Sequence, residues 1–204
     1  MTALSKAALE SGVRRLVLLS GRGEEEAQRA ERALRESGAD WTIVRCSWFS
    51  QNFDEGFFAD QIAEGELLVP ATSVPEPFVD VEDIADVVTL SLTEEGHVGQ
   101  IYELTGRRML TFEEAVGEIA AATGREIRYV PGSIDEFAAE ALEAGQPADV
   151  VEFLRYLFGE VLDGRNANLT DGVQRALGRE PRDFSDYVRE AAASGAWNTA
   201  GRVA

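Results

Sequence analysis

"ALESGVRRLVLLS" (residues 8–20) and "ALRESGADWTIVR" (residues 33–45) state one plan twice. Each opens as the end of a helix, runs through Glu-Ser-Gly and continues into an apolar segment. Gly12 and Gly38 stand where a helix C-cap favours a left-handed glycine. The segments Leu16 to Ser20 and Trp41 to Arg45 are apolar and β-branched without strict alternation, so both faces of each strand are predicted to be covered. Helix, strand, helix and strand with both faces buried require a parallel sheet with helical crossovers. The fold class is α/β.

Outward from this core, "MTALSKAALESG" reads as a short amphipathic helix ended by Gly12. After Arg45, residues 47–65 read as a loop entering a helix. Phe49, Phe53 and Phe57 recur at helical spacing there, with Trp48 and Phe58 beside them. "ELLVPATSVPEPFVDV" carries two short strands around Pro70, Pro75 and Pro77. Asp83 reads as the N-cap of a helix whose Ile84, Val87, Val88 and Leu92 share a face. Gln100 to Leu104 is a strand, Thr111 and Glu114 form a capping box, and Arg125 to Pro131 is a strand by propensity. From Ser133 the chain is mainly helical. Val150, Phe153, Leu154, Leu157, Phe158, Val161 and Leu162 make a broad apolar stripe, suited to a core or to a substrate lid or dimer face. Two short helices flank Pro181.

Composition removes whole classes of function. The 204 residues hold 37 Asp and Glu against 19 Lys and Arg, a net charge of −18. That field opposes nucleic acid and anionic membrane, so neither is an expected partner. No apolar run approaches the roughly 20 residues of a membrane span. One cysteine, Cys46, permits no internal disulfide, and one histidine, His97, with one cysteine cannot build a common zinc site. Cys46 reads as a buried apolar residue and His97, between Gly96 and Gly99, as an exposed loop residue. A cytoplasmic location follows as the expectation.

Strand, Ser20-Gly21-Arg22-Gly23 and helix start are the parts of a phosphate loop, and both spacing and charge argue against one here. Gly21-x-Gly23-x-x-Glu26 lacks the third glycine of a dinucleotide fingerprint, and no Gly-Lys-Ser/Thr follows. Glu24, Glu25 and Glu26 already answer the helix dipole and repel a pyrophosphate.

The run "SGRGEEEAQRAERALRESGADWTIVRCSWFSQNF" (residues 20–53) resembles the NmrA-like family of atypical short-chain dehydrogenase/reductases. "FVDVEDIADVV", "GHVGQIYELTG" and "LTFEEAVGEIAAATGREIRYVP" extend the resemblance in the family's order. The family's Gly-x-x-Gly-x-x-Gly turn for the pyrophosphate is absent from this sequence. The resemblance therefore implies an incomplete Rossmann-like sheet, residues 1–106, without its nucleotide-binding front. A small, mainly helical substrate or lid part, residues 107–204, follows. Aligned on "ERALRESG", the superfamily's Tyr-x-x-x-Lys positions hold Gly23 and Ala27, which cannot transfer a proton.

The resemblance also implies a site. Ser20, at the tip of one strand, and Phe49, Ser50, Gln51 and Asn52, after the next, match cofactor-contacting positions, with NAD(P) as the implied cofactor. Trp48 and Phe53 are placed toward the substrate. On the residues alone, an aromatic stripe at helical spacing is more often core than a cofactor wall, and Asn52 also reads as a helix cap. Three readings stay open. One is an N-terminally incomplete NAD(P)-dependent oxidoreductase acting on a quinone-like or imine-like small molecule. The second is a non-enzymatic NAD(P)-sensing regulator that binds a protein partner. The third takes the 204 residues as the whole protein, with the strand Leu16 to Ser20 an apolar edge that drives formation of a homo-oligomer.

Overall fold

A computed structural model describes residues 1–55, 57–70 and 73–198, together with the helical backbone but not the side chain of Phe57. Helix α1 (Thr2–Glu10) leads into strand β1 (Arg15–Gly21), and helix α2 (Glu25–Arg35) into β2 (Asp40–Cys46). Gly12 and Gly38, both with φ near +80° (83° and 81°), make the left-handed turns between them. A 3-10 turn, Ser50–Phe53, is followed by α3 (Phe57–Glu64), β3 (Glu66–Pro70), α4 (Val81–Thr93) and β4 (Ile101–Leu104). Then come α5 (Phe112–Thr123), β5 (Arg128–Gly132), α6 (Ile134–Glu143) and α7 (Ala148–Tyr156). A π-helical turn, Leu157–Val161, extends α7, and α8 (Gly172–Leu177) and α9 (Phe184–Ser194) close the chain.

β1, β2 and β4 form one parallel sheet in the order β1-β2-β4, with Leu19 opposite Val44 and Cys46 opposite Leu104. Its faces are covered by different helices, as an apolar run without alternation requires. Leu9 and Leu34 pack with Leu16, Leu18 and Ile43 on one face. On the other, Ile84, Val87, Val173 and Ala176 pack with Val17, Val44 and Leu104. α8 lies so close to β4 that a Cβ on Gly172 would sit 2.1 Å from the Glu103 carbonyl oxygen.

β3 and β5 pair in parallel as a second, two-stranded sheet, so residues on either side of position 106 share one sheet. Over it lies the larger core, built around Phe53, Phe58, Phe78, Phe112, Phe137, Phe184 and Trp197. The capping box at Thr111 and Glu114 is present, and Val116 and Ile119 face inward.

Four details depart from the sequence expectation. The N-cap of α4 is Asp80, whose side chain accepts the Glu82 amide at 2.9 Å. Asp83 is instead fully buried inside the helix, held by Arg179 at 2.7 Å and Arg182 at 2.8 Å. His97 is buried, because its Nδ1 shares a 2.8 Å hydrogen bond with the Tyr102 hydroxyl and its carbonyl accepts from Thr42. The second strand expected near Pro75 and Pro77 is reduced to single bridges, Glu76 to Leu110 and Phe49 to Val79. The Phe49–Phe53–Phe57 spacing does not lie on one helix, since the 3-10 turn ends at Phe53; the side chain of Phe57 is outside the described residues. No helix among the described residues is long and apolar enough to cross a membrane.

Candidate functional site

A cavity of about 600 Å³ opens at the C-terminal tips of β1 and β2. This is the side on which open parallel sheets receive ligands. Its floor is Ser20, Gly21, Cys46 and Ser47; Trp48, Phe49 and Asn52 continue one wall, and Ala27 and Ala30 of α2 form another. The opposite wall comes from Val150, Phe153 and Leu154 of α7 and Leu157 and Val161 of the π turn. The apolar stripe of residues 150–162 is thus divided. Phe158, Val161 and Leu162 are buried, whereas Val150 and Phe153 stay exposed at the mouth. Single π turns within helices recur at functional sites, and this one carries part of the cavity wall.

The residues singled out in the sequence have different placements. Ser20, Trp48, Phe49 and Asn52 line the cavity. The Ser20 hydroxyl donates to Glu31 at 2.7 Å, so it anchors the strand tip to α2. Trp48 stacks obliquely on Phe158, with centroids 4.9 Å apart. The Asn52 backbone amide donates to the Phe49 carbonyl, while its side-chain carboxamide makes no hydrogen bond among the described residues and is open to a ligand. Ser50, Gln51 and Phe53 are not in the lining. Gln51 is taken up at the start of α4, donating to Asp80 at 2.9 Å and accepting from the Val81 amide at 3.0 Å. Ser50 is buried, and its amide donates to the Val79 carbonyl. Phe53 is wholly buried, 5.1 Å from Phe78 and 5.5 Å from Phe184 between ring centroids.

Three charged groups of the cavity were not among the site residues expected from the sequence. Arg22, within the glycine turn, is buried. Its guanidinium donates to Ser47 at 2.9 Å and to the Asn166 and Asn168 carbonyls at 3.2 and 3.4 Å. Asn166 returns a bond to the Arg22 carbonyl at 3.1 Å, which ties the β1 turn to the segment after the π turn. Glu24 lines the cavity with its carboxylate folded over Gly21, where an added Cβ would fall 1.7 Å from Oε1. Burial pushes its pKa up, and no side-chain partner among the described residues offsets this. Glu55 adds a second, exposed carboxylate at the rim. The signal for Arg22 and Glu24 was local: a charge inside a strand-to-helix turn lies beside any pocket at the strand tips.

Beneath the floor, Glu31 is nearly inaccessible and accepts from Arg45 Nε at 2.8 Å, while Arg45 also reaches Glu103 at 2.8 Å. Arg45 draws the Glu31 pKa down against its burial. Burial pushes the Cys46 thiol far up, so it is no thiolate nucleophile. Among the described residues no cluster of His, Cys, Asp and Glu is arranged to hold a metal ion.

No protein-family model matches the chain. It is 30% identical to the NAD(P)H azoreductase of Xenophilus azovorans over 202 residues, covering 94% of this chain and 70% of that protein. It is 31% identical to agroclavine dehydrogenase of Claviceps fusiformis, covering 88% of this chain and 65% of that protein. The solved structure of triphenylmethane reductase from Citrobacter sp. superposes with a TM-score of 0.79 at 22% identity, covering 94% of this chain and 69% of that one. The chain thus spans about two thirds of the length of the relatives it matches. With this order of motifs, this fold and this identity over nearly its whole length, the chain belongs to the NmrA-like family of atypical short-chain dehydrogenase/reductases.

Proposed function

We propose that the protein takes part in NAD(P)H-dependent reduction of a flat, apolar organic molecule, and that the cavity above β1 and β2 is where that molecule meets the nicotinamide. The observation that carries the reading is the cavity itself: aromatic and aliphatic walls with the free Asn52 carboxamide, at the ligand-binding end of a parallel sheet. Relatives named NAD(P)H azoreductase and agroclavine dehydrogenase support it.

The described residues fit one end of the cofactor. Phe49 and Trp48 offer flat apolar surface to a nicotinamide ring, and Asn52 offers an amide to its carboxamide. The phosphates find no such fit, since Arg22 is already spent on Ser47 and the 166–168 backbone, and Glu24 and Glu55 repel anions. When bound, a reduced nicotinamide supplies a hydride. The chain's own contribution is to bind the acceptor, orient it against the aromatic wall and exclude water through the α7 and π-turn side chains.

The test is nicotinamide oxidation at its near-ultraviolet absorbance band with a panel of quinones and imines. Oxidation that depends on the organic acceptor supports a reductase. A second reading, an NAD(P)-sensing regulator, is favoured by one observation: Gly23 and Ala27 stand where the superfamily's proton-transfer pair would be, and Ala27 lines the cavity. NAD(P)H binding without oxidation by any acceptor supports the regulator.

A further inference from the structure

Glu24 is the N-cap residue of α2, yet its carboxyl makes no capping bond. Glu25 and Glu26, in the first turn, already answer the helix dipole. The Glu24 side chain instead folds back over Gly21 at the tip of β1 and joins the cavity lining. Only a glycine admits this fold-back, since a Cβ at position 21 would fall 1.7 Å from Oε1 and 2.6 Å from Cδ of Glu24. The charged groups around it have other partners. Arg22 is bound to Ser47 and to the Asn166 and Asn168 carbonyls, and its Nε is 3.7 Å from Glu103. Arg165, which donates to the Gly23 carbonyl, pairs with Asp163 at 2.8 Å. Glu55 stands exposed at the rim, and α7 adds no charged side chain to the lining. A carboxyl desolvated in this way, with no cation beside it, keeps its proton longer than one in water.

Reduction in this cavity needs such a proton. Hydride delivered by a dihydronicotinamide to a quinone, carbonyl or azo group forms one bond to hydrogen. The electron pair of the broken π bond is left as an anion on oxygen or nitrogen, and that atom must be protonated. The described lining offers few donors. It holds no Tyr, Lys or His. Burial pushes the Cys46 thiol far up, and an arginine stays protonated. The hydroxyls of Ser20 and Ser47 are engaged by Glu31 and Arg22 at 2.7 and 2.9 Å.

We propose that Glu24 is the acid of this cavity, giving its carboxyl proton to the oxygen or nitrogen of the bound acceptor. The O–H bond of the carboxyl breaks, the O–H or N–H bond of the product forms, and the carboxylate left behind takes a new proton from water at the mouth, where Glu24 is partly exposed. Glu24 follows directly on Gly23, one of the two positions at which the superfamily's proton-transfer pair is absent. The inference rests on reading the cavity as the acceptor's site.

The first measurement needs no hydride donor. Its probe is 9-fluorenone, a flat neutral ketone, and the readout is the infrared stretch of the bound carbonyl from about pH 5 to about pH 8. A neutral carboxyl donates a hydrogen bond to that carbonyl and lowers its wavenumber, whereas a carboxylate only accepts. The band is expected to lie low at the acidic end and to rise as Glu24 ionises. Glu24→Gln, whose amide donates at every pH, is expected to hold the band constant. Gly21→Ala, which keeps the carboxyl but displaces it, is expected to leave the band high throughout. Glu25→Gln, exposed and outside the lining, is expected to behave as the parent. The second measurement is reduction of 1,4-naphthoquinone by N-benzyl-1,4-dihydronicotinamide, a donor without phosphates, corrected for the rate without protein. The parent kcat is expected to fall as pH rises through the same titration. Glu24→Gln is expected to lower kcat about a hundredfold or more, with KM little changed and that pH dependence gone. A band indifferent to pH in the parent, a pH-dependent band in Glu24→Gln, or no binding of fluorenone would overturn the proposal. Equal kcat for the parent and Glu24→Gln would overturn it and leave the reductase reading standing. The expected band behaviour without reduction by the parent would support Glu24 as the donor to the bound ligand and count against the reductase reading.

Discussion

At the scale of single residues, the floor of the site is held by charges that cannot be removed one at a time. Glu31 is buried and satisfied by Arg45 and Ser20. Arg45→Met leaves that carboxylate uncompensated, and chemical denaturation is expected to show a loss of about 3–5 kcal/mol. Pairing it with Glu31→Gln is expected to recover much of the loss. Glu76 is the opposite case. It is 1% exposed, and neither carboxylate oxygen has a partner among the described residues. Burial pushes its pKa from 4.5 up to about 7, with Arg22 pulling back only partly. The folded state therefore holds the proton more tightly than the unfolded chain. The stability this contributes is present below pH 4.5 and is lost as pH rises through about 7. Thermal melts are expected to show Glu76→Gln more stable than the parent at pH 8 and indistinguishable from it near pH 4.5. A constant difference across that range would contradict the assignment.

At the scale of elements, α4 connects the core to the cavity wall. Asp80 caps its first turn and also receives Gln51, which fixes the 3-10 turn from which Asn52 projects. Asp80→Ala is expected to cost about 1–2 kcal/mol in denaturant titration, the loss of an N-cap with one further hydrogen bond. This scale also shows what was legible in the sequence. The repeated helix, glycine and strand plan predicted β1 and β2 to within a residue at each end, because backbone conformation and apolar run length act locally. The capping box at Thr111 was equally local. Asp83 and His97 were misplaced because their burial depends on Arg179, Arg182 and Tyr102, partners that no local pattern reveals. The cavity was half legible. Ser20, Trp48, Phe49 and Asn52 lie at strand tips that topology dictates. Gln51 and Phe53 share their segment but turn to α4 and the core, and a 3-10 turn divides neighbours in a way that helical spacing does not anticipate.

At the scale of the whole molecule, β1 has a single strand neighbour, β2, among the described residues, and Leu19 near its tip is half exposed. An apolar parallel edge is a template for another strand. Sedimentation of the 204-residue chain is expected to show concentration-dependent association, reduced by Leu19→Lys. A monodisperse monomer at high concentration would contradict this. The same edge borders the cavity, since Leu18 and Leu19 belong to its lining, so what pairs with β1 also bounds the ligand.

The account turns on the cavity being where reduction occurs, and filling it is the most direct trial. Ala27 lines the cavity from α2 and is only partly buried, so Ala27→Trp places an indole in the space with little disturbance of the core. The measurement is acceptor-dependent NAD(P)H oxidation by the parent and by Ala27→Trp, each extended by a family nucleotide-binding front, with melting temperatures compared alongside. The account predicts turnover by the parent and at least a roughly tenfold lower kcat/KM in the variant, equivalent to about 1.4 kcal/mol of lost transition-state binding, at unchanged melting temperature. Equal turnover by both proteins would contradict it.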